Sequence, residues 1–376
     1  MNSIGKYILL LLFIFTTSLS AQVEVSGLTD IVFKDTGDDD FSNETFRGFS
    51  NFHSTRARLF FDGQAANNTY AFVQVLIDNY EFSLYGAYLR FEEVGSPFLN
   101  LHIGYIPTTI GSFGPRTYSN ENPLIGAPFI YNYHTSFKLS DGLNQTADEF
   151  LAGKETRSRG GLPIIYDACW NVGLEAYGSY KKIDYSFALL TGSLGKPTVE
   201  QKKDIPQLTS RIAYYISPNI TLGLNGFYGP YLFEGAFPDS LPTGKQPEDY
   251  MNYGYGYDLY IAYYLLEIYS EFLFNVWEHP YQENLEIYSG YLEAEYKFSP
   301  GWYVAGRYEI LEPGKIENSS GEKEKWDYAA KRYEYGIGYR PNRSTTIKLV
   351  NQLNRFSENE SLNHDKIALQ VSVMFR

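Results

Sequence analysis

The chain has 376 residues, 17% of them aromatic, with 35 tyrosines against 3 methionines and a formal charge of −13. An acidic chain without basic patches excludes a nucleic-acid partner. A single cysteine excludes an internal disulfide and leaves no thiol cluster for a metal.

The N-terminus sets the compartment. Lys6 precedes the apolar run Tyr7–Phe15, followed by Thr-Thr-Ser-Leu-Ser-Ala-Gln, the order of a charged region, an apolar region and a small-residue cleavage site. The run is well short of the ~20 residues a spanning helix needs. Residues 1–21 therefore read as a cleaved signal peptide, with cleavage after Ser20 or Ala21 taking the charge to −14. Residues 22–376 form the mature domain. An exported chain this long without disulfides needs a large soluble core or β-structure in a membrane. Mean hydropathy is −0.31, and no later run could span as a helix. In a membrane that leaves a closed barrel.

Strands are predicted wherever apolar and polar residues alternate over about ten residues between turns. The first is 24–34. In 55–62, Ala57, Leu59 and Phe61 oppose Arg56, Arg58 and Asp62; in 70–78, Ala71, Val73, Val75 and Ile77 oppose Gln74 and Asp78. Strands 83–92 and 98–106 follow. In 168–180, Ala168, Trp170, Val172 and Leu174 are expected to face outward against Asn171 and Glu175. Further strands read at 183–191, 208–216, 220–228, 255–265, 268–277 (turn at Leu266-Glu267), 286–298, 302–311, 332–340, 345–355 and 366–375. The total is sixteen, an even number as a single-chain bacterial barrel requires. Connections alternate in length. Those at 63–68, 93–97, 181–182, 217–219, 266–267, 299–301 and 341–344 are short, and the intervening ones are mostly long and rich in Gly, Pro and charge. A soluble sandwich has no reason to sort its loops by parity, whereas a transmembrane barrel does. The fold class is all-β, a transmembrane antiparallel barrel.

One connection, 107–163, far exceeds the ~12–15 residues at which an unstructured loop becomes suspect. It carries Gly111-Ser-Phe-Gly-Pro115, the run Phe129-Ile-Tyr-Asn-Tyr133 and the basic Lys154-Glu-Thr-Arg157-Ser-Arg159. Its aromatics, with Ile125 and Ile130, require a surface to bury against.

With these features in place, the chain resembles the sixteen-stranded bacterial outer-membrane porins, across residues 22–376 and as architecture rather than motif. Leu99-Asn-Leu-His-Ile-Gly-Tyr-Ile-Pro107 leading into the long connection resembles the phosphate-selective branch, without its lysine-rich pattern. The alternating end Ile367–Phe375 resembles the strand read by the barrel-assembly machinery, although Arg376 follows the terminal aromatic. The resemblance implies that 107–163, the third outer connection, folds into the lumen as a constriction loop. It also implies a homotrimer in outer-membrane lipid and lipopolysaccharide.

Inward charges are expected to line the pore: Arg56, Arg58, Asp62, Asp78, Arg90, Glu175, Arg211, Arg307 and Lys348, with Asp184, Glu271, Glu293, Glu295, Glu309 and Arg340 beside them. Constriction candidates on the loop are Phe113, Arg116, Asp141, Asp148, Glu149, Arg157 and Arg159. Arg56 and Arg58, opposed by loop acids, are expected to set a transverse field. Asp38-Asp39-Asp40 lacks the fixed spacing of a calcium loop. The five histidines have no metal-ligand spacing, and no nucleophile motif is present. Neither cofactor, metal nor catalytic residue is assigned. The function read from the sequence is passive diffusion of small hydrophilic solutes and ions. The alternatives are a channel specific for a sugar, phosphate or hydrophobic compound, and a plugged barrel serving as adhesin or anchor.

Overall fold

The computed structural model describes residues 23–35, 55–78, 81–107, 110–139, 143–154, 161–167, 170–198, 204–232, 241–363 and 365–376. The leader at 1–21, Asp38–Asp40 and the turn at Asn79-Tyr80 lie outside these residues.

The strands are β1 (Val23–Lys34), β2 (Thr55–Ala66), β3 (Thr69–Asp78), β4 (Glu81–Phe91), β5 (Asn100–Pro107), β6 (Trp170–Tyr180), β7 (Ile183–Leu190), β8 (Gln207–Ser217) and β9 (Ile220–Pro230). They continue with β10 (Met251–Tyr263), β11 (Leu266–Trp277), β12 (Leu285–Ser299), β13 (Trp302–Pro313), β14 (Lys315–Glu317), β15 (Lys323–Lys325), β16 (Ala330–Asn342), β17 (Thr345–Phe356) and β18 (Asp365–Phe375). Each long strand pairs with its chain neighbours, β13 pairs with β16, and β1 closes on β18 from Gly27 opposite Phe375 to Lys34 opposite Ala368. The result is a closed antiparallel barrel of sixteen strands, as the alternation predicts. Closure removes every unpaired edge, which a lone sheet in hydrocarbon would expose.

The tiny hairpin β14–β15 lies within the connection between β13 and β16 and was not visible in the sequence, because three residues are too few to display a period. The turn expected at Leu266-Glu267 falls instead on Tyr264-Leu265, with Tyr264 at φ 54°. Lys181, first residue of the two-residue turn between β6 and β7, is likewise left-handed at φ 56°. Such turns match the twist of the strands they join.

The barrel is inverted relative to a soluble protein. Along β17, Thr346, Lys348, Gln352 and Asn354 are buried, while Leu349 is 49% exposed. Phe82, Leu224, Tyr255 and Ile367 stand at 74, 63, 62 and 51% exposure on the outer surface. Arg, Lys and Asp on such a face cost ~2–4 kcal/mol near a bilayer midplane, which explains why the outward set is apolar. Aromatic side chains ring the short-turn end: Phe98 packs edge-on to Tyr180 at 5.1 Å and Trp302 stacks on Tyr339 at 4.4 Å. Their amphipathic bodies suit a membrane–water boundary.

Trp170 departs from the expected outward face. A bulge leaves Tyr85 unpaired between Gln74 opposite Gly86 and Val75 opposite Leu84. The Trp170 ring folds over Gly86, where a Cβ would lie 2.4 Å from it, and stacks on Phe72 at 6.1 Å with 8° between planes. Trp170 opens its strand, so the ladder does not fix its side chain, and the space over Gly86 draws the ring into the lumen.

Candidate functional site

The inward side chains fall into two groups, one covered by the long connection and one facing a cavity. Residues 110–139 run without regular strands and bring backbone N–H and C=O groups against these side chains, where each needs a partner. The wall supplies them. Glu334 accepts from the amides of Ile125 and Gly126 at 3.2 and 2.7 Å, and Glu309 accepts from the Phe129 amide at 2.7 Å. Glu271 accepts from the amide and hydroxyl of Ser112 at 2.7 and 2.8 Å and from Tyr131 Oη at 2.5 Å. In the other direction, Lys348 Nζ donates to the carbonyls of Asn122 and Leu124 at 2.7 and 3.0 Å. Arg332 Nη1 donates to the Ala127 carbonyl at 3.1 Å, its guanidinium 4.0 Å from the Phe129 ring centre. The wall charges act here as a docking template for an irregular chain.

Arg307 ties the template together. Its Nη1 and Nε donate to Glu293 and Glu309, each at 2.9 Å, and its Nη2 reaches Glu334 and the Gly126 carbonyl. Gly126 can be no other residue without displacement, since a Cβ would lie 2.7 Å from both Glu334 and Gln352. Arg116 comes from the connection itself to pair with Glu293, its guanidinium 3.4 Å from the Tyr269 ring centre. The block holds four carboxylates, Glu271, Glu293, Glu309 and Glu334, and four cations, Arg116, Arg307, Arg332 and Lys348; direct ion pairs join the three arginines to Glu293, Glu309 and Glu334, while Glu271 and Lys348 bond neutral polar groups. The equality matters because an uncompensated charge buried at this depth costs several kcal/mol.

Nearer the barrel seam, Asp30 receives Arg56 at 3.2–3.3 Å and Ser119 Oγ, with Arg58 4.0 Å away and above the Tyr118 ring. One acid of the wall, Asp30, thus faces both Arg56 and Arg58, while the Ser119 hydroxyl of the connection donates to the same carboxylate. Asp78 lies opposite Arg56 in the β2–β3 register and is half-buried.

The second group faces open space. A cavity of about 680 Å³ lies beside β3 to β8, bounded by Phe72, Tyr88, His102, Trp170, Glu175 and Tyr177 on the wall and by Gly111–Pro115 and Tyr118 of the connection. Glu175 accepts from Ser186 Oγ at 2.6 Å and meets His102 Nδ1 at 2.7 Å, beneath the rings of Tyr88 and Tyr177. Arg211 forks onto Asp258 at 2.6 and 2.9 Å. Asp62 and Arg90 border a smaller recess at the short-turn end with Glu24 and Tyr70.

At the long-connection end the same segment builds an apolar block with its neighbours. Phe137 and Phe150 pack against Trp277 and Trp326, and the two indoles meet edge-on at 6.1 Å. His279, between Phe137 and Phe150, is pushed down to about 4 by burial. Lys154 bonds the Lys325 carbonyl at 3.1 Å and Glu358 at 3.3 Å.

Among the loop candidates, Phe113 is fully buried 5.2 Å from Tyr131, and Arg116 reaches the wall as described. Asp148 and Glu149 sit exposed in the first turn of the short helix Ala147–Gly153, where Asp148 accepts from the Ser319 amide at 3.1 Å. They lie at the long-connection end beside Ser319, apart from the arginines of β2. Asp141, Arg157 and Arg159 lie outside the described residues. Sequence reading passed over Phe72, Tyr88 and His102 as cavity residues. Inward parity was available for all three, but parity cannot say which part of a wall stays uncovered.

No protein-family model and no curated protein sequence matches the chain. Solved structures do match in fold: OmpF of Salmonella typhi at TM-score 0.58 and 12% identity, covering 94% of this chain and 98% of that one. The outer-membrane channel DcaP of Acinetobacter baumannii matches at 0.57 and 12%, covering 94% and 97%. An anion-selective porin from Comamonas acidovorans matches at 0.56 and 10%, covering 94% and 99%. The chain has the fold of the sixteen-stranded outer-membrane porins.

Proposed function

We propose that the protein is an outer-membrane channel through which small hydrophilic solutes and ions diffuse, and not an enzyme. The observation that carries this is the inverted closed barrel, apolar outside and polar inside, with a cavity of about 680 Å³ left beside β3 to β8. In this reading residues 107–163 narrow the lumen by docking on the opposite wall, and solutes are sieved by size in the remaining half. The leader at 1–21 directs export, the C-terminal strand engages the barrel-assembly machinery, and the mature chain sits in lipid and lipopolysaccharide as a homotrimer. The acidic balance gives a modest cation preference. Purified protein in planar bilayers is expected to show stable conductance, with a reversal potential in a salt gradient of cation-selective sign; clear anion selectivity refutes the preference.

A second reading rests on the apolar block around Phe137, Phe150, Trp277 and Trp326, which closes part of the long-connection end. In a plugged barrel serving as an adhesin or anchor, no conductance appears at any voltage.

A further inference from the structure

We propose that the cavity beside β3 to β8 is a binding site for a ring-bearing organic cation. The proposal deepens the channel reading, because it names the class of solute that pauses in the lumen.

Two properties of the lining carry it. The first is an aromatic shelf. Trp170 and Phe72 are stacked with near-parallel planes, Tyr88 joins Phe72 at 4.9 Å, and Tyr118, with Arg58 over its ring, bounds the cavity from the connection. The facing stretch, Gly111, Ser112, Gly114 and Pro115, is small and uncharged, so a flat ring can approach the shelf. A cavity of about 680 Å³ falls within the ~300–1,000 Å³ of ordinary small-molecule sites.

The second property is the charge balance. Arg211 is neutralised by its bidentate bond to Asp258. The two acids on the lining, Glu175 and Asp184, are held by His102, by the hydroxyls of Ser186 and Ser179 and by Tyr215. Among the described residues no salt bridge joins an arginine or lysine to either of them, Arg211 being the cation whose field reaches Asp184. The cavity therefore combines π faces with excess negative charge. Aromatic faces attract cations through the ring quadrupole, and carboxylates near the shelf attract the same charge. An aromatic anion meets the shelf but is repelled by the acids, and a small inorganic cation keeps its hydration shell and has no ring to stack on the shelf.

The test uses the full mature chain, refolded in detergent for calorimetric titration and inserted in planar bilayers for current block. The probe is benzyltrimethylammonium, compared with tetramethylammonium, benzyl alcohol and benzoate. The ring-bearing cation is expected to bind at least about 10-fold more tightly than each of the other three, by analogy with the strength of desolvated cation–π contacts. Phe72→Leu and Asp184→Asn are each expected to weaken it by about 3- to 10-fold, with Phe72→Tyr retaining affinity. Heat-modifiable gel migration confirms that each variant is folded. Equal affinity for benzoate, equal affinity for benzyl alcohol, or unchanged affinity in both weakening variants overturns the site. Conductance without discrimination among the probes overturns the site and leaves the channel standing. Selective binding without conductance overturns the channel and leaves the site.

Discussion

Lys348→Met tests whether the wall charges dock the long connection or merely keep a pore wet. Lys348 is fully buried on β17, and its ammonium holds the carbonyls of Asn122 and Leu124. Methionine keeps most of the stem and removes both bonds. Hydrogen bonds involving a charged group contribute about 1.5–3 kcal/mol each, so the pair amounts to roughly 3–6 kcal/mol. The substitution also leaves the block of four acids and four cations with an excess negative charge. Each 1.4 kcal/mol is a factor of ten, so the docked fraction of residues 120–130 should shift by roughly two to four decades. Hydrogen exchange in detergent reads this directly. The Ile125 and Gly126 amides, held by Glu334, should lose protection by that factor while amides of β6 to β9 do not change. Single-channel conductance should rise in the same variant as the connection detaches. If protection at 125 and 126 survives intact in a folded barrel, the docking role assigned to the wall charges is wrong.

Gly86→Val drives a side chain into the Trp170 ring; overpacking of this kind costs about 1–3 kcal/mol. Displacement of the indole should appear as a changed tryptophan emission and a smaller aromatic shelf. Phe150→Ala removes a ring from the apolar block at the long-connection end, at a local cost of about 3–5 kcal/mol. Limited proteolysis should then cut within 143–154, with the barrel core intact. For His279, burial lowers the folded pKa to about 4 against an ordinary 6.5, so the folded form binds fewer protons. Stability from the neutral ring is complete above pH 6.5 and falls as the pH drops towards 4, by about 3 kcal/mol in all. Exchange protection in 278–282, corrected for intrinsic rates, should fall across that window, and His279→Phe should flatten the dependence.

The barrel was legible because its signal is local and repeated. Each strand carries its own alternation, and a one-residue slip would turn its whole apolar set inward, so facing and register follow from the same pattern. Loop parity fixed which connections share an end. That logic weakened where strand geometry is irregular. Trp170 opens its strand beside a bulge, and the space above Gly86 decided its direction rather than the period. The turn at Tyr264-Leu265 was displaced because tyrosine is at home on either face and in the turn itself.

The candidate site divides along the same line. Sequence alone determined that Arg307, Glu309, Lys348 and Glu175 face inward, because parity within a strand needs no knowledge of the rest of the chain. It also determined that the aromatics of 107–163 require burial. Only the tertiary structure decided that Arg307 and Lys348 meet backbone groups of that connection while Glu175 stays beside open space. An inward charge reads the same in sequence whether its partner is water or a distant carbonyl. That distinction depends on contacts across more than two hundred residues, from Asn122 to Lys348, which no local period encodes.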